Sequence, residues 1–530
     1  MKILVEDLGP EWLAPSDSVR AALAKGQMGS LRLLTSLDGA EPSSDSWDRA
    51  HRTTCAEALR VGLSGHVLPT ALDSALTALA EPGTLAIITG QQPGFLCSPL
   101  YSLIKAMQAC RLAEALSQTW GRKVVAMFWN HADDHDIAEV HHSYIQNRNL
   151  DLQKIALAGL SSGREPLSRI PINREAQGLG AIEAFLQQNF GMYSHCQEAL
   201  DLLLPRQGET LPQALTRVLL QLLGPHGLIP VEPDWIRPQL SSALADILER
   251  DPRQALLQAS SEGSIDAHTA ALVFDVGAEG RTAWRWHAKG FVQDGSGQVW
   301  KPAELAQRVR ENPASWSPGA LLRPLVQDCA LPCYAYIGGL GELAYHAQIV
   351  AARKATQVPE TRFVPRVSVT LIDEECSASL QKSGVSLVDV LAAKGELQAD
   401  EDDSPTPPAI EAIEGIVRDA QAKLREQRAA LAEIEPSLDS GLRRAADQMG
   451  QGIEKLLAKA LRIHQNKGGK QQRHFRRLNN RLMPRGLPQE RVLGPIEFYT
   501  RYGPAWIEAQ YRATPPVCAS HLAMTLQPES

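Results

Sequence analysis

The stretch Leu85-Ala-Ile-Ile-Thr-Gly-Gln-Gln-Pro-Gly-Phe95 decides the fold of this chain. It opens with a short apolar run that ends at Gly90, and turn-forming residues flank the run on both sides. A run this short, with such flanks, predicts a buried strand rather than a helix. Ser98 and Pro99 then favour the start of a helix, because Ser is a good N-cap and Pro is tolerated at the first helical position.

Apolar residues recur at helical spacing after this start, and a second apolar run at residues 124–129 predicts another buried strand. The recurring residues are Leu100, Leu103, Ile104, Met107, Cys110 and Ala113. A strand, a helix and a second strand in this order imply a right-handed parallel crossover. The sequence therefore predicts an α/β fold with a parallel-sheet core.

Three further apolar runs, at residues 228–231, 333–337 and 367–372, also end in glycine or charged residues. Open parallel sheets bind ligands at the carboxyl ends of their strands. We therefore expect the functional site among the residues that follow these five strands. The segment 146–224 has weaker strand signals and more helical ones, which predicts an insertion in the sheet.

Composition narrows the class of protein. A chain of 530 residues predicts two to four structural units, and 44% hydrophobic with 21% charged residues is typical of a globular protein. The net charge of −7 argues against a general nucleic-acid binder. We find no secretory signal pattern and no run near the roughly 18 apolar residues that a spanning helix needs, so we expect a cytoplasmic protein.

The eight cysteines are scattered and form no CxxC pair. This pattern argues against both a disulfide framework and a structural zinc ribbon. Cys329 and Cys333 are the closest pair, and we interpret them as small residues packed near a strand.

The C-terminal third changes character after an acidic, proline-rich linker at residues 400–408. Two successive segments with heptad-like apolar spacing follow, separated at Pro436, and Gln427 interrupts the first. The apolar positions are Ile410, Ile413, Val417, Ala420, Leu424, Leu431 and Ile434, then Leu442, Ala446, Met449, Ile453, Leu456, Ala460 and Ile463. This predicts an antiparallel helical hairpin with arms roughly 40 Å long. We expect it to form a homodimer contact; the alternative is a hairpin folded onto its own core.

The first candidate site is Thr89, Gly90, Gln91, Gln92 and Gly94, between a predicted strand and a predicted helix. Glycines allow close backbone approach, and a helix N-terminus attracts anions. The spacing matches neither the dinucleotide-binding fingerprint nor a Walker loop, so a purely structural glycine turn remains the alternative.

The second candidate is the run that follows the strand at 124–129 and contains His131, Asp133, Asp134 and His135. Adjacent carboxylates and imidazoles perturb one another's pKa values, which suits acid–base catalysis near neutral pH. The same groups are also types that ligate a divalent metal. A solvated turn is the remaining alternative.

The third candidate is Gly339, Gly341 and Glu342, with Tyr345 close behind, at a second strand-to-helix turn. Because both turns are predicted on the same sheet edge, this one is expected to face the first. A structural helix entry is the alternative.

Three single cations complete the candidate site: Lys105, Arg323 and Arg366. An anionic substrate needs such partners, and arginine suits forked contacts to carboxylate or phosphate. A separate basic stretch at residues 467–481 follows the predicted hairpin, either as a solvated face paired with the acidic first arm or as a phosphate-binding segment.

Five blocks of this sequence together resemble one known family. The blocks are TGQQPGF followed by SPLYSLIKA, MFWNHADDHDIAEV, LLRPLVQDCALPCYAYIGGLGELAYHAQI, PRVSVTLID and LPQERVLGPIEFYTRYG. In this order, over about residues 85–505, they are similar to the BshC family, the proposed cysteine ligases of bacillithiol biosynthesis. The chain departs from the family pattern at Leu340, where a proline is usual.

The resemblance implies a Rossmann-like core with inserted connecting segments and a C-terminal coiled coil used for dimerisation. Combined with the patterns above, it gives five expected regions. These are residues 1–145 as the first part of the core, 146–224 as a mainly helical insertion, 225–399 as the rest of the core, 409–483 as the coiled coil, and 484–530 as a tail packing on the core.

The implied reaction joins L-cysteine to the amine of glucosaminyl-malate to make bacillithiol. The carboxylate of cysteine must be activated. ATP or another nucleotide is the expected cofactor, and a metal requirement stays open. His131, Asp134 and His135 are the expected acid–base groups, supported by Asp133. The alternatives are a nucleotide-dependent ligase or transferase for another amino acid or amino sugar, and a non-catalytic coiled-coil scaffold.

Overall fold

A computed structural model gives the fold of this chain. It describes residues 1–13, 16–38, 40–41, 47–160, 163–259, 265–277, 280–288, 290–398, 407–434, 436–465 and 470–528. Within these residues, no helix has the length and apolar character needed to cross a membrane.

The strands of the described residues, in chain order, are β1 (Lys2–Asp7), β2 (Gln27–Met28), β3 (Leu31–Arg32), β4 (Leu85–Gln91), β5 (Val124–Asn130), β6 (His142–Gln146), β7 (Leu152–Ala156), β8 (Leu228–Val231), β9 (Ala271–Gly277), β10 (Gly280–His287), β11 (Gly290–Gln293), β12 (Val299–Trp300), β13 (Trp316–Pro318), β14 (Cys333–Gly338), β15 (Arg362–Pro365), β16 (Ser368–Ile372) and β17 (His521–Gln527).

The α-helices of the described residues are α1 (Pro10–Leu13), α2 (Asp17–Lys25), α3 (Arg49–Gly62), α4 (Thr70–Leu79), α5 (Tyr101–Trp120), α6 (Ile137–Val140), α7 (Leu179–Phe190), α8 (Cys196–Leu203), α9 (Leu211–Leu223), α10 (Arg237–Glu249), α11 (Arg253–Gln258), α12 (Pro302–Glu311), α13 (Arg323–Ala330), α14 (Leu340–Gln348), α15 (Val350–Ala355), α16 (Glu374–Ser383), α17 (Leu387–Ala392), α18 (Pro408–Glu426), α19 (Arg428–Ile434), α20 (Pro436–Gln465), α21 (Lys470–Leu482) and α22 (Ile496–Ala513).

The central sheet has five strands in the order β15-β14-β4-β5-β8, and every neighbouring pair is parallel. β4 lies in the middle, paired with β5 from Leu85↔Val124 to Gln91↔Asn130. The predicted α/β fold with a parallel-sheet core is confirmed.

The apolar runs of β4 and β5 fold as strands because helices cover both faces of the sheet. Ile87 and Phe128 belong to one hydrophobic cluster, with α5, and Ile88 and Met127 to the other, with α4, α10 and α13. Because successive side chains of a strand point to opposite faces, both faces must be apolar. This explains why the strands read as continuous apolar runs and not as alternating patterns.

The loop after β4 differs from its predicted form. β4 continues through Gln91, a short 3-10 turn covers Phe95–Cys97, and α5 begins at Tyr101. Ser98 therefore precedes the helix by three residues and is not its N-cap. Thr89 and Gly90 lie within the strand, and the helix that was expected to begin at Pro99 begins at Tyr101 instead.

The run 367–372 was expected to extend the central sheet, and this is wrong. It forms β16, which belongs to a separate three-stranded sheet in the order β1-β17-β16. The edge of the central sheet is instead β15. In the same sheet, β1 pairs with β17 near the other end of the chain.

A five-stranded antiparallel sheet, in the order β12-β11-β10-β9-β13, lies within the region expected as the rest of the core. Its interior contains Trp284, stacked on Trp300 with ring centroids 4.3 Å apart. The sequence analysis did not predict this sheet.

The chain divides into two compact units, one made of residues 1–374 and 488–530 and the other of residues 375–487. The second unit contains α18 to α21. In it Ile410, Val417, Ala446 and Leu457 are buried.

Three expected seam positions of the helical unit are exposed: Ile413, Ile434 and Leu456. Leu457, one residue on, is buried in place of Leu456, because a 3.6-residue helix drifts from a strict heptad. The seam side chain of Ile463, most of the linker 400–408, and Lys467 lie outside the described residues. In the described part of the basic stretch, Arg477 contacts Glu375 at 3.7 Å, so this partner is on α16 and not on the acidic first arm.

Candidate functional site

The segments that leave β4, β5 and β14 converge at one edge of the central sheet. Gln91 is in register with Asn130, and Thr89 with Ile337, so the three strands end side by side. Hydrogen bonds then join the segments to one another. The expectation that the glycine segment, the His-Asp run and the second glycine turn lie together is met by this geometry.

The Glu342 carboxylate, on the first turn of α14, is the meeting point of these segments. Its Oε2 accepts hydrogen bonds from Lys105 Nζ at 2.9 Å and from the Gly339 backbone N–H at 2.7 Å. Its Oε1 accepts from the hydroxyls of Tyr336, at 2.8 Å, and Tyr345, at 3.3 Å. Although burial opposes ionisation, Lys105 and these donors lower the pKa of Glu342 to about 2, so it is a carboxylate at neutral pH.

Lys105 joins Glu342 to the first segment. Its side chain is 1% exposed, and its ammonium donates to the Gly90 carbonyl at 2.7 Å and to Gln91 Oε1 at 3.4 Å. Burial lowers the pKa of Lys105 and Glu342 acts against that shift. With three oxygen acceptors already bound, this ammonium organises the site and is not a free anchor for a substrate.

The residues of the first segment, 89–94, differ in what their side chains contact. Thr89 is fully buried and its hydroxyl donates to the Ile337 carbonyl, so its side chain is not available to a ligand. Gln91 donates to the Tyr101 hydroxyl at 3.0 Å, and Gln92 donates to Asp134 Oδ2 at 2.6 Å. Gly94 must lack a side chain because a Cβ there would overlap the Ser98 carbonyl oxygen.

Asp134 and His131 form the centre of the second segment. Asp134 Oδ1 accepts the backbone N–H groups of His135, at 2.7 Å, and Asp136, at 3.3 Å. Burial opposes ionisation, but the Gln92 and His135 hydrogen bonds prevail and lower the pKa of Asp134. Burial, followed by the nearby Arg323 charge, lowers the pKa of His131 to about 3, so its imidazole is neutral. A Cβ at Gly90 would lie 2.7 Å from the Trp129 carbonyl oxygen and 3.0 Å from His131 Nε2, which explains the glycine there.

Two arginines that the sequence analysis missed bind the other half of this segment. Arg237, at the start of α10, pairs with Asp133 and also with Asp234, at 2.6 Å. Arg281, on β10, contacts His135 Nδ1 at 3.1 Å. Asp133 is therefore held by a cation. Arg237 follows a predicted strand end by six residues and could have been found there, whereas nothing in the sequence pointed to Arg281.

The predicted cations Arg323 and Arg366 differ in their partners. Arg366 pairs with Glu490 at 2.6 Å and its guanidinium lies 4.9 Å from the centre of the Tyr101 ring. Arg323 contacts only neutral oxygens, Gln327 Oε1 at 3.3 Å and the Tyr345 hydroxyl at 3.2 Å. Arg323 is largely buried, with 9% of its surface exposed. Even so, no carboxylate of the described residues lies within ion-pair distance of it.

Gly341 lies in α14 with open space around it, while Gly339 caps that helix. In the described part of the chain, no three His, Cys, Asp or Glu side chains are grouped as metal ligands. A cavity of about 450 Å³ lined by Arg32, Arg353 and Glu360 includes none of the side chains discussed above. We therefore take the crevice at the strand ends as the candidate active site.

Comparisons with known proteins agree with this architecture. The family model described as "Bacillithiol biosynthesis BshC, N-terminal Rossmann-like domain" matches residues 41–367, and "Bacillithiol biosynthesis BshC, C-terminal coiled-coil domain" matches residues 369–526. These two models together span most of the chain.

Curated relatives are similar over nearly the same length. A protein named "Putative cysteine ligase BshC" from Solibacter usitatus is 27% identical, covering 85% of this chain and 86% of the relative. A relative of the same name from Desulforamulus reducens is 25% identical, covering 82% of each chain. Among solved structures, Thermus thermophilus arginyl-tRNA synthetase aligns over 84% of this chain and 86% of its own chain, at 11% identity. The TM-score is 0.19, which is too low to indicate a shared fold.

The Lys105–Glu342 pair generates a stability prediction. Glu342→Gln should destabilise the protein by about 3 kcal/mol, because it leaves the buried ammonium without its counter-charge. The double variant Lys105→Met/Glu342→Gln should be less destabilised than the sum of the two single variants. Urea unfolding of all four proteins measures this coupling, and strictly additive free energies of unfolding would contradict it.

His131 generates a pH prediction. Its pKa is about 3 in the folded protein and near 6.5 when unfolded, so the unfolded state binds more protons between these values. The contribution of His131 to stability is therefore complete above about pH 6.5 and is lost as the pH falls through that window. His131→Asn should make the fall in Tm between pH 7 and pH 5 shallower, whereas His268→Asn, at an exposed histidine, should not. Equal slopes in the wild type and His131→Asn would contradict the assignment.

Proposed function

Since this chain belongs to the BshC family of bacillithiol biosynthesis, we propose that it is a ligase that joins L-cysteine to the amine of glucosaminyl-malate. The name of its relatives, cysteine ligase, supports cysteine as one of the two substrates. The observation that carries the proposal is the charge imbalance around Arg323. Lys105 pairs with Glu342 and Arg366 with Glu490, whereas Arg323 has no carboxylate within ion-pair distance among the described residues, so its guanidinium is available to a ligand.

Arg323 is the cation that has no ion-pair partner among the described residues. A guanidinium removed from water is stabilised by an anion that can accept its donors in pairs. Arg323 lies beside His131 and Tyr345, so an anion bound to it would lie in the crevice. A carboxylate of the substrate is the group that fits, because cysteine carries one and malate carries two.

Amide formation from a free carboxylate is uphill in water, so the cysteine carboxylate must be activated. ATP or another nucleotide would supply that activation, and Arg323 is the described cation available to a phosphate group. The other donors near it, Lys105 and Tyr336, already bind Glu342.

Proton transfer in this crevice depends on the ligand. Asp134 is ionised but is a weak base, because its oxygens already accept three hydrogen bonds. His131 is neutral, but Arg323 helps to hold its pKa far below neutrality. An anion bound at Arg323 offsets that charge and raises the pKa of His131. His131 then accepts the proton that the glucosamine amine must lose.

We also propose a homodimer formed through the helical unit, supported by apolar side chains that are exposed on α18 and α20, namely Ile413, Ile416 and Leu456. A cytoplasmic location fits the cysteines: all eight lie among the described residues and are free thiols there.

The test of function is incubation of the purified protein with cysteine, glucosaminyl-malate and ATP, followed by mass measurement of the new amide. We expect the wild type to form it. Arg323→Met should raise KM for the substrate whose carboxylate it binds by roughly 30-fold, equivalent to about 2 kcal/mol. His131→Asn should lower kcat by roughly 100-fold or more, because the group that accepts the amine proton is lost.

Arg362→Met is the matched control. Arg362 is the first residue of β15, at the amino ends of the strands and away from the crevice, and its guanidinium lies over the Tyr334 ring. It should leave KM unchanged. An amide formed only with another amino acid would refute the cysteine assignment. A folded Arg323→Met variant with wild-type KM for both substrates would refute the carboxylate anchor.

A further inference from the structure

Arg281 enters the crevice from the antiparallel sheet and is fixed on three sides. Its Nη1 lies 3.1 Å from His135 Nδ1, and its Nη2 lies 3.3 Å from Ser317 Oγ. Its guanidinium carbon lies 3.7 Å from the centre of the Phe274 ring. The residue is 8% exposed, so its guanidinium has little freedom to turn away from His135.

The chemistry of the two groups determines where the proton on His135 lies. A guanidinium has only donors, so the ring nitrogen that it contacts must offer a lone pair. Nδ1 of His135 is therefore unprotonated, and the neutral ring carries its proton on Nε2. A doubly protonated imidazolium is incompatible with this contact, because both of its nitrogens are donors.

The groups around His135 have opposing effects on its pKa. Asp134 and Asp136 favour the imidazolium, whereas burial and Arg281 favour the neutral ring, and the net effect lowers the pKa of His135. Asp134 Oδ1 is 3.7 Å from Nδ1, which is too far for a hydrogen bond, and it already accepts two backbone N–H groups. Burial and Arg281 together therefore prevail over the neighbouring carboxylates.

The Nε2–H group makes no hydrogen bond to any described residue, and the side chain is 38% exposed. We propose that Arg281 is a positioning residue that fixes His135 as a neutral Nε2–H hydrogen-bond donor to an anionic oxygen of the substrate. His135 is then not the base of the reaction, and this role is left to His131. The catalytic consequence rests on the proposed function, but the tautomer itself does not.

The tautomer is tested by NMR of the full-length protein carrying ¹³C,¹⁵N-labelled histidine, with the His135 signal assigned by comparison with His135→Gln. The ring carbon and nitrogen shifts distinguish Nδ1–H, Nε2–H and imidazolium forms. We expect a neutral Nε2–H ring from pH 6 to pH 8 in the wild type. In Arg281→Met the ring should titrate within this range, because the opposing charge is gone while Asp134 and Asp136 remain.

Two further variants separate charge from geometry. Arg281→Lys keeps a charged donor and should retain the neutral Nε2–H form. Arg281→Gln keeps a donor without its charge, so the tautomer should persist while the pKa rises. Arg285→Met, on the same strand but in an exposed pair with Asp294, is the control and should change nothing.

Activity gives a second readout. In Arg281→Met kcat/KM should fall, because a neutral ring protonated on Nδ1 no longer offers Nε2–H to the substrate, and Arg281→Lys should retain most of the activity. An unchanged tautomer and titration in a folded Arg281→Met protein would overturn the proposal and leave Arg281 a packing residue. Absence of ligase activity in the wild type would refute the proposed function alone, because the NMR result does not depend on turnover.

Discussion

The candidate site depends on the buried ion pair between Lys105 and Glu342. Burying two charges is unfavourable unless each finds enough hydrogen-bonding partners. Here the Glu342 carboxylate accepts four hydrogen bonds and the Lys105 ammonium finds three acceptors. These partners come from β4, α5, β14 and α14, so the same contacts that satisfy the charges also hold the strand ends together. The pair therefore specifies the arrangement of the crevice more than it adds to stability.

The electrostatics of the crevice follow from that pair. Because Glu342 is used by Lys105, and Glu490 by Arg366, the charge of Arg323 has no protein partner among the described residues. Burial and then that charge lower the pKa of His131, and burial and then Arg281 lower the pKa of His135. The free protein thus presents two neutral imidazoles and, at Arg323, a guanidinium without an ion-pair partner among the described residues.

The sequence predicted those parts of the fold that depend on local patterns. β4, β5, β8 and β14 were each found as short apolar runs bounded by turn residues, since strands covered on both faces leave that pattern. Membership of a sheet is not local, so β16 was placed in the wrong sheet and the edge strand β15 was overlooked. The helix after β4 was placed two residues early because the Ser98-Pro99 signal could not reveal the turn that precedes the helix.

The site shows the same division. Its polar strand ends were visible in the sequence, but which groups neutralise one another was not, because the partners Glu490, Arg237 and Arg281 are distant in the chain. Hydrogen–deuterium exchange with and without cysteine plus glucosaminyl-malate tests the central claim most directly. If one crevice binds these ligands, residues 90–92, 131–136 and 339–345 should become protected together. Protection of only one of these segments, or only within residues 375–487, would contradict the account.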